Sequence, residues 1–146
     1  MPTLTDAGTL VRLAYQGLVN LGIDADEVLK RSGFEPNRLY KNNLRTQFSA
    51  QPRFWQAAVD LSGDPSIGLH VGEKMPIYKG QIIEYLFLSS GNFGDGLRRN
   101  IKYQRLVSDA LHARLVEEPK PYLTGYFVES QFVTSHLSEA LSLGVI

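Results

Sequence analysis

Three histidines, His70, His112 and His136, are the first residues to weigh for chemistry, and their spacing argues against a shared site. A tetrahedral zinc site needs three or four ligands within reach of one ion. With no cysteine and no H-E-x-x-H pair, such a site would have to gather all three histidines or recruit carboxylates. The plainer reading puts His70 at a helix interface and His112 on the polar face of a strand. Ser89 and Ser90 precede Gly91 without a G-x-S-x-G elbow, so they read as the end of a helix rather than as nucleophiles. Gly91, Gly94 and Gly96 come in the wrong order for a G-x-G-x-x-G phosphate loop, and no strand precedes them. No catalytic residue, metal or cofactor is expected.

Binding is better supported than catalysis. Arg98, Lys102 and Arg105 share one face of a helix, with Arg99 beside them. That face reads first as a solvated one, although it has the charge to hold an anion, a partner's acidic patch or a DNA backbone. Arg105 stands out because it adjoins the apolar pair Leu106-Val107, where a partly buried guanidinium can clamp a carboxylate. Trp55, Tyr85, Phe87, Tyr103, Tyr122, Tyr126 and Phe127 are aromatics able to wall a pocket that is apolar with a few polar tips. Core packing accounts for most of them. The residues selected as ligand contacts are Trp55, Tyr85, Tyr103, Arg105 and Tyr126.

Composition narrows the classes. At 146 residues the chain is one domain's worth, and its 43% apolar and 21% charged content is ordinary for a globular protein. Lys plus Arg equal Asp plus Glu at 15 each, so the chain lacks the surplus of cations from which nucleic-acid affinity largely comes. Its apolar runs are too short to cross a bilayer. The N-terminus lacks the basic start and apolar core of a secretion signal, and a cytoplasmic location is expected.

The elements that must position these residues are mostly helical. Leu10, Leu13, Ala14, Leu18 and Leu21 recur at helical spacing over Thr5 to Leu21, ended by Gly22. Asp24 caps a second helix, with Glu27 at the reciprocal position of a capping box and Gly33 as the stop. Phe34 to Phe48 has no sustained period and reads as a surface loop. Ser49 opens a helix whose core face is Phe54, Trp55, Ala58 and Leu61, and Asp64-Pro65 signals another start, Asp as cap and Pro at the first helical position. In that helix Gly68 and Gly72, four apart, favour close approach of a neighbour. After a loop from Lys74 to Lys79, the run Ile82 to Leu88 predicts a central helix buried on most sides, broken at Ser89-Ser90-Gly91. Asn92 caps the next helix, with Asp95 complementing its dipole. Alternation in Leu111 to Val116 and again from Tyr122 to Glu129, around Glu118-Pro119-Lys120-Pro121, predicts a hairpin. Ser130 to Leu143 carries Val133, Leu137, Ala140 and Leu141 at helical spacing.

The fold class is therefore α+β, predominantly helical with a C-terminal antiparallel β-hairpin or small sheet. An isolated hairpin is marginal in water and leaves both edges unpaired. Either a second copy pairs an edge while helices cover one face, or the natural protein continues past Ile146.

Phe54-Trp55 to Leu61, Ser62-Gly63-Asp64-Pro65-Ser66-Ile67-Gly68-Leu69, Gly80, Tyr85, Ser89-Ser90, Gly94-Asp95, Leu97, Tyr103 and Ser108-Asp109 together resemble the N-terminal effector-sensing, arabinose-binding-like domain of AraC-type transcriptional regulators. The leading helix and Gly22-Ile23-Asp24 are similar too. The motifs are caps and helix-packing residues rather than ligand contacts. The resemblance implies a non-catalytic domain that binds a small-molecule effector of unstated class, forms a homodimer, and controls DNA binding by a C-terminal helix-turn-helix domain absent from this chain. On that reading residues 1–146 are one effector-binding and dimerisation domain, the N-terminal fragment of a longer regulator. Glu84 and Gly96 depart from the pattern, where a small residue and alanine are usual. The alternative is a stand-alone protein–protein interaction module without a ligand.

Overall fold

The structure, a computed structural model, describes residues 3–76 and 82–145. The chain starts with a short strand β1 (Thr5–Ala7), followed by helices α1 (Gly8–Asn20) and α2 (Ala25–Arg31). Strand β2 (Arg45–Gln47) then leads into α3 (Gln51–Ser62) and α4 (Ile67–Lys74). Helices α5 (Ile82–Leu88) and α6 (Phe93–Lys102) precede the hairpin of β3 (Leu111–Val116) and β4 (Tyr122–Phe127), and α7 (Ser135–Val145) follows it. The architecture is α+β and mostly helical, with seven α-helices and two antiparallel two-stranded sheets among the described residues.

Local chemistry sets most of the boundaries. Asp24 Oδ1 accepts the Glu27 N–H at 3.0 Å, which caps α2, but the Glu27 carboxylate turns forward to Arg31 at 2.8 Å instead of closing a capping box. Asn92 Oδ1 accepts the Asp95 N–H at 2.9 Å and its amide returns a bond to the Asp95 carboxylate at 2.8 Å, so the corner before α6 is reciprocally closed. Gly63, at φ +67°, ends α3 in the left-handed region that glycine enters without a Cβ clash. Asp64 caps a turn rather than the helix: its Oδ1 accepts the Ser66 N–H at 2.8 Å, and α4 begins at Ile67, with Ser66 in the cap position.

The hairpin register runs from Leu111 opposite Phe127 to Val116 opposite Tyr122. Its root is stitched to the N-terminal strand, because Ala7 N–H donates to the Val107 carbonyl at 2.7 Å and Asp109 N–H to the Thr5 carbonyl at 2.9 Å. β1 in turn pairs β2, with Asp6 opposite Thr46. The segment read as a surface loop thus contains a strand and two core residues, since Leu39 and Phe48 are fully buried. Arg12 pins it to α1 by donating to the carbonyls of Leu39 at 2.7 Å and Lys41 at 3.0 Å.

The core lies among α1, α2, α3, α4 and α7, where Leu18, Val28, Leu29, Ala58, Ile67 and Val71 are inaccessible to solvent. Gly68 and Gly72 bring α4 against the α7 backbone: a Cβ on Gly68 would sit 2.4 Å from the His136 carbonyl oxygen, and one on Gly72 2.9 Å from Leu143 Cβ. Helix α5 is not the centre of this core. Ile82, Tyr85 and Leu88 are each more than 60% exposed, and Ile83 is its buried residue. An all-round apolar run is buried only if neighbours surround it, and this two-turn helix packs chiefly on α6. Gly96 of α6 belongs to that contact, since a Cβ there would come within 2.8 Å of the Phe87 ring.

Candidate functional site

The helical core is not filled. A cavity of about 640 Å³ opens between α1, α3, the end of α4 and α7, floored by the segment that connects α2 to β2. That size falls within the roughly 300–1,000 Å³ of small-molecule sites. Helix α1 contributes Leu10, Val11, Leu13 and Ala14, and α7 contributes Leu137, Ala140, Leu141 and Leu143. Met75 and Pro76 close the α4 side. These apolar walls follow from two helices each turning one stripe inward.

Polar groups enter from α3 and the connecting segment. Gln51 and Trp55 lie one turn apart on α3, and the indole N–H of Trp55 donates to Gln51 Oε1 at 3.1 Å. Gln51 Nε2 donates in turn to Asp6 Oδ2 at 2.9 Å, and the Ser108 hydroxyl donates to Asp6 Oδ1 at 2.6 Å. Ala110 N–H completes the chain by donating to Ser108 Oγ at 3.1 Å. A hydrogen-bonded path therefore runs from the cavity wall, through a buried carboxylate, to the root of the hairpin. Burial pushes the Asp6 carboxyl above its ordinary value, opposed by the bonds from Ser108 and Gln51.

Three arginines, Arg38, Arg45 and Arg53, line the cavity against one carboxylate, Glu73. Arg45 is engaged elsewhere: it donates to Thr5 Oγ1 at 2.9 Å, to the Thr5 carbonyl at 2.9 Å and to the Leu106 carbonyl at 3.2 Å, and it pairs with Asp109 at 3.2 Å. The Asp109 carboxyl is held below its ordinary value, first by the Thr5 hydroxyl and also by Arg45. By contrast, Arg38 and Arg53 are exposed to solvent, and among the described residues their guanidiniums make no hydrogen bond or ion pair.

Of the residues selected from sequence, Trp55 is 2% exposed and lines this cavity. The other four belong to the part of the chain built from α5, α6 and the hairpin. Tyr85 is 63% exposed on α5, and Tyr103 ends α6 with the Lys102 ammonium 5.4 Å from its ring centre. Arg105 sits in a short turn after α6, and Tyr126 is 65% exposed with its ring stacked on His112 at 5.2 Å. None of these four lines the cavity. Arg38, Gln51 and Arg53 line the cavity without a sequence signal to single them out, because an arginine in a loop and a glutamine at a helix start carry no periodic or motif pattern.

His70 is half exposed and its Nδ1 meets Asp64 at 2.5 Å, which holds that carboxyl below its ordinary value. His136 lies beside Trp55, ring centres 6.3 Å apart. Among the described residues no three His, Cys, Asp or Glu side chains gather as metal ligands, and no helix is long and apolar enough to cross a membrane. Arg98 pairs with Asp95 at 2.7 Å and with Glu117, as a solvated helix face would.

Residues 22–141 match the family of the arabinose-binding domain of AraC transcription regulators, an N-terminal domain. The chain belongs to this family. A curated relative, the ornithine utilization regulator of Pseudomonas aeruginosa, is 29% identical over 112 residues, which cover 73% of the chain and 33% of the relative. The chain thus spans about a third of the length of the curated relative it matches. No solved structure matches it. The family match takes in α2, α3, α4 and most of α7, so the cavity is built largely from elements of this AraC-type N-terminal domain.

Proposed function

We propose that the chain is the effector-binding domain of a cytoplasmic AraC-type transcription factor, that a small molecule occupies the cavity beside Trp55, and that occupancy governs DNA binding by a C-terminal domain beyond the chain. The observation that carries this reading is the cavity itself: an apolar chamber with convergent polar groups, inside a domain of a regulatory family. The path from Trp55 through Gln51, Asp6 and Ser108 supports a route by which occupancy biases the hairpin. No catalytic role is assigned to any side chain. Of the five sequence-selected contacts, Trp55 is the one in the cavity. Tyr85, Tyr103, Arg105 and Tyr126 would touch ligand at a second site, and weaker ligand binding by Tyr103→Ala or Arg105→Ala would place one there.

The test is a thermal-stability screen of the purified chain against amino acids, sugars, aromatic acids and fatty acids. A ligand that binds only the folded state raises its stability by about 2.7 kcal/mol at a concentration of 100 Kd. Failure of every class to raise the melting temperature would refute the sensing role.

A second role is favoured by a separate observation. Ile82, Tyr85, Leu88 and Phe93 all lie exposed on α5 and at the start of α6. Such a cluster suits a dimer or interdomain surface, and light scattering that finds only monomers at high concentration would exclude the dimer.

A further inference from the structure

We infer that the effector is an organic anion, a carboxylate on an apolar body, with its acid group at Arg38 and Arg53 and its body against α1 and α7. The inference rests on the cavity being the effector site. Its first support is the sign of the charges, since three arginines and one carboxylate line the same space. Its second is their availability. Arg45 is consumed by Thr5, Leu106 and Asp109, whereas Arg38 and Arg53 have no acceptor among the described residues. Its third is placement.

Arg38 ends the short turn Pro36–Arg38, which is anchored by the buried Leu39 and by the bond from Arg12 to the Leu39 carbonyl. Arg53 lies in the first turn of α3, with Nη2 3.8 Å from where a Cβ on Gly33 would stand. Arg38 and Arg53 therefore line the cavity from two different elements, both exposed to solvent, so that an acid group at the cavity's edge has forked donors within each element to choose from. Leu13, Met75, Leu137 and Leu141 supply apolar wall for the body of the ligand, with Thr46, Gln47 and Gln51 as polar side chains beside it. A cation is disfavoured here. Glu73 is the one acidic lining residue, and it already has Lys74 Nζ at 3.9 Å. L-ornithine has a carboxylate but also two ammonium groups, for which the lining offers one carboxylate among apolar walls, so its body is a poor match to this cavity.

The experiment titrates the chain with decanoate and 3-phenylpropionate, each beside its primary amide, and with L-ornithine, reading Trp55 fluorescence and melting temperature. The expected result is that a carboxylate binds about tenfold or more tightly than its amide, as a charge-assisted hydrogen bond requires. The doubly substituted Arg38→Gln/Arg53→Gln chain should lose that preference while keeping the unfolding midpoint of the native chain, and Arg114→Gln, an exposed change on β3, should keep it. Equal binding of acids and amides would overturn charge recognition and leave the cavity as the site. Binding of L-ornithine, whose body is cationic, with no binding of decanoate or 3-phenylpropionate would overturn the inference while sparing the sensing role. Failure of the whole panel would also overturn it, and the wider screen then decides whether sensing fails too.

Discussion

Replacing Gly68 by alanine should destabilise the domain, although alanine is the better helix former. The ideal Cβ at Gly68 stands 2.4 Å from the His136 carbonyl oxygen, 2.5 Å from His136 Cα and 2.7 Å from Glu139 Oε2. Two of the three obstacles are backbone, so no rotamer change removes them. Ordinary contact begins near 3.4 Å, so α7 has to retreat by about 1 Å (3.4 less 2.4). A gap of that size forfeits a quarter to a half of the dispersion energy of the atoms it separates. Overpacking costs about 1–3 kcal/mol, and two backbone obstacles inside 2.6 Å put this site in the upper part of that range, about 2–3 kcal/mol, offset by roughly 1 kcal/mol of helix propensity. The net loss expected is about 1–2 kcal/mol, and each kcal/mol lowers the melting temperature by roughly 2–4 °C in a domain near this size. Because α7 walls the cavity with Leu137, Ala140 and Leu141, ligand affinity should fall as well. Urea unfolding followed by far-UV circular dichroism measures the first effect, with Gly91→Ala as the control, since nothing lies within 4 Å of a Cβ there. A Gly68→Ala chain as stable as the control would refute the close crossing of α4 and α7.

Other changes follow from local chemistry. Asn92→Ala should cost about 1 kcal/mol by removing the cap on the Asp95 N–H, and an unchanged unfolding midpoint would deny the cap its role. The raised Asp6 carboxyl binds its proton more tightly folded than unfolded, so its contribution to stability is greatest below the ordinary value of 3.8 and declines as pH rises through the folded value. The stability of the native chain relative to Asp6→Asn should therefore fall with rising pH above 3.8, as read from unfolding free energies. A flat or rising difference would contradict the burial of Asp6. Asp109 has the opposite sign: its depressed carboxyl contributes stability present above 3.8 and lost as pH falls through the folded value, and Asp109→Asn should flatten that acid loss in the same unfolding series.

Much of the helical frame was legible because periodicity and punctuation agreed. The caps at Asp24 and Asn92 and the close approach at Gly68 and Gly72 all stand as their residue types imply. The hairpin also stands, because alternation in Leu111 to Val116 meets a proline-marked turn. What escaped was tertiary. Strands β1 and β2 are three residues each, too short for a period of two to register, and their pairing is between residues forty apart. Leu39 and Phe48 are buried by what folds over them, which no local pattern announces. The run Ile82 to Leu88 misled for the converse reason: apolar composition states what a helix is able to bury, and α5 has chiefly α6 to bury it against. For the site, Trp55 was visible as a core-facing aromatic on α3. Arg38, Gln51 and Arg53 converge only once the connecting segment is laid under α3, so their shared position is a property of the fold.

Trp55 is the sole tryptophan of the chain and lines the cavity, which makes its emission a direct report on occupancy. The decisive measurement is a titration of that emission with any compound that raises the melting temperature, compared between the native chain and Ala14→Leu, whose larger side chain grows into the cavity from α1. Occupancy of the cavity predicts that emission changes with the same Kd as the stabilisation, and that Ala14→Leu weakens both. A compound that stabilises the chain equally in Ala14→Leu, with Trp55 emission unchanged throughout, would place the ligand elsewhere and contradict the account.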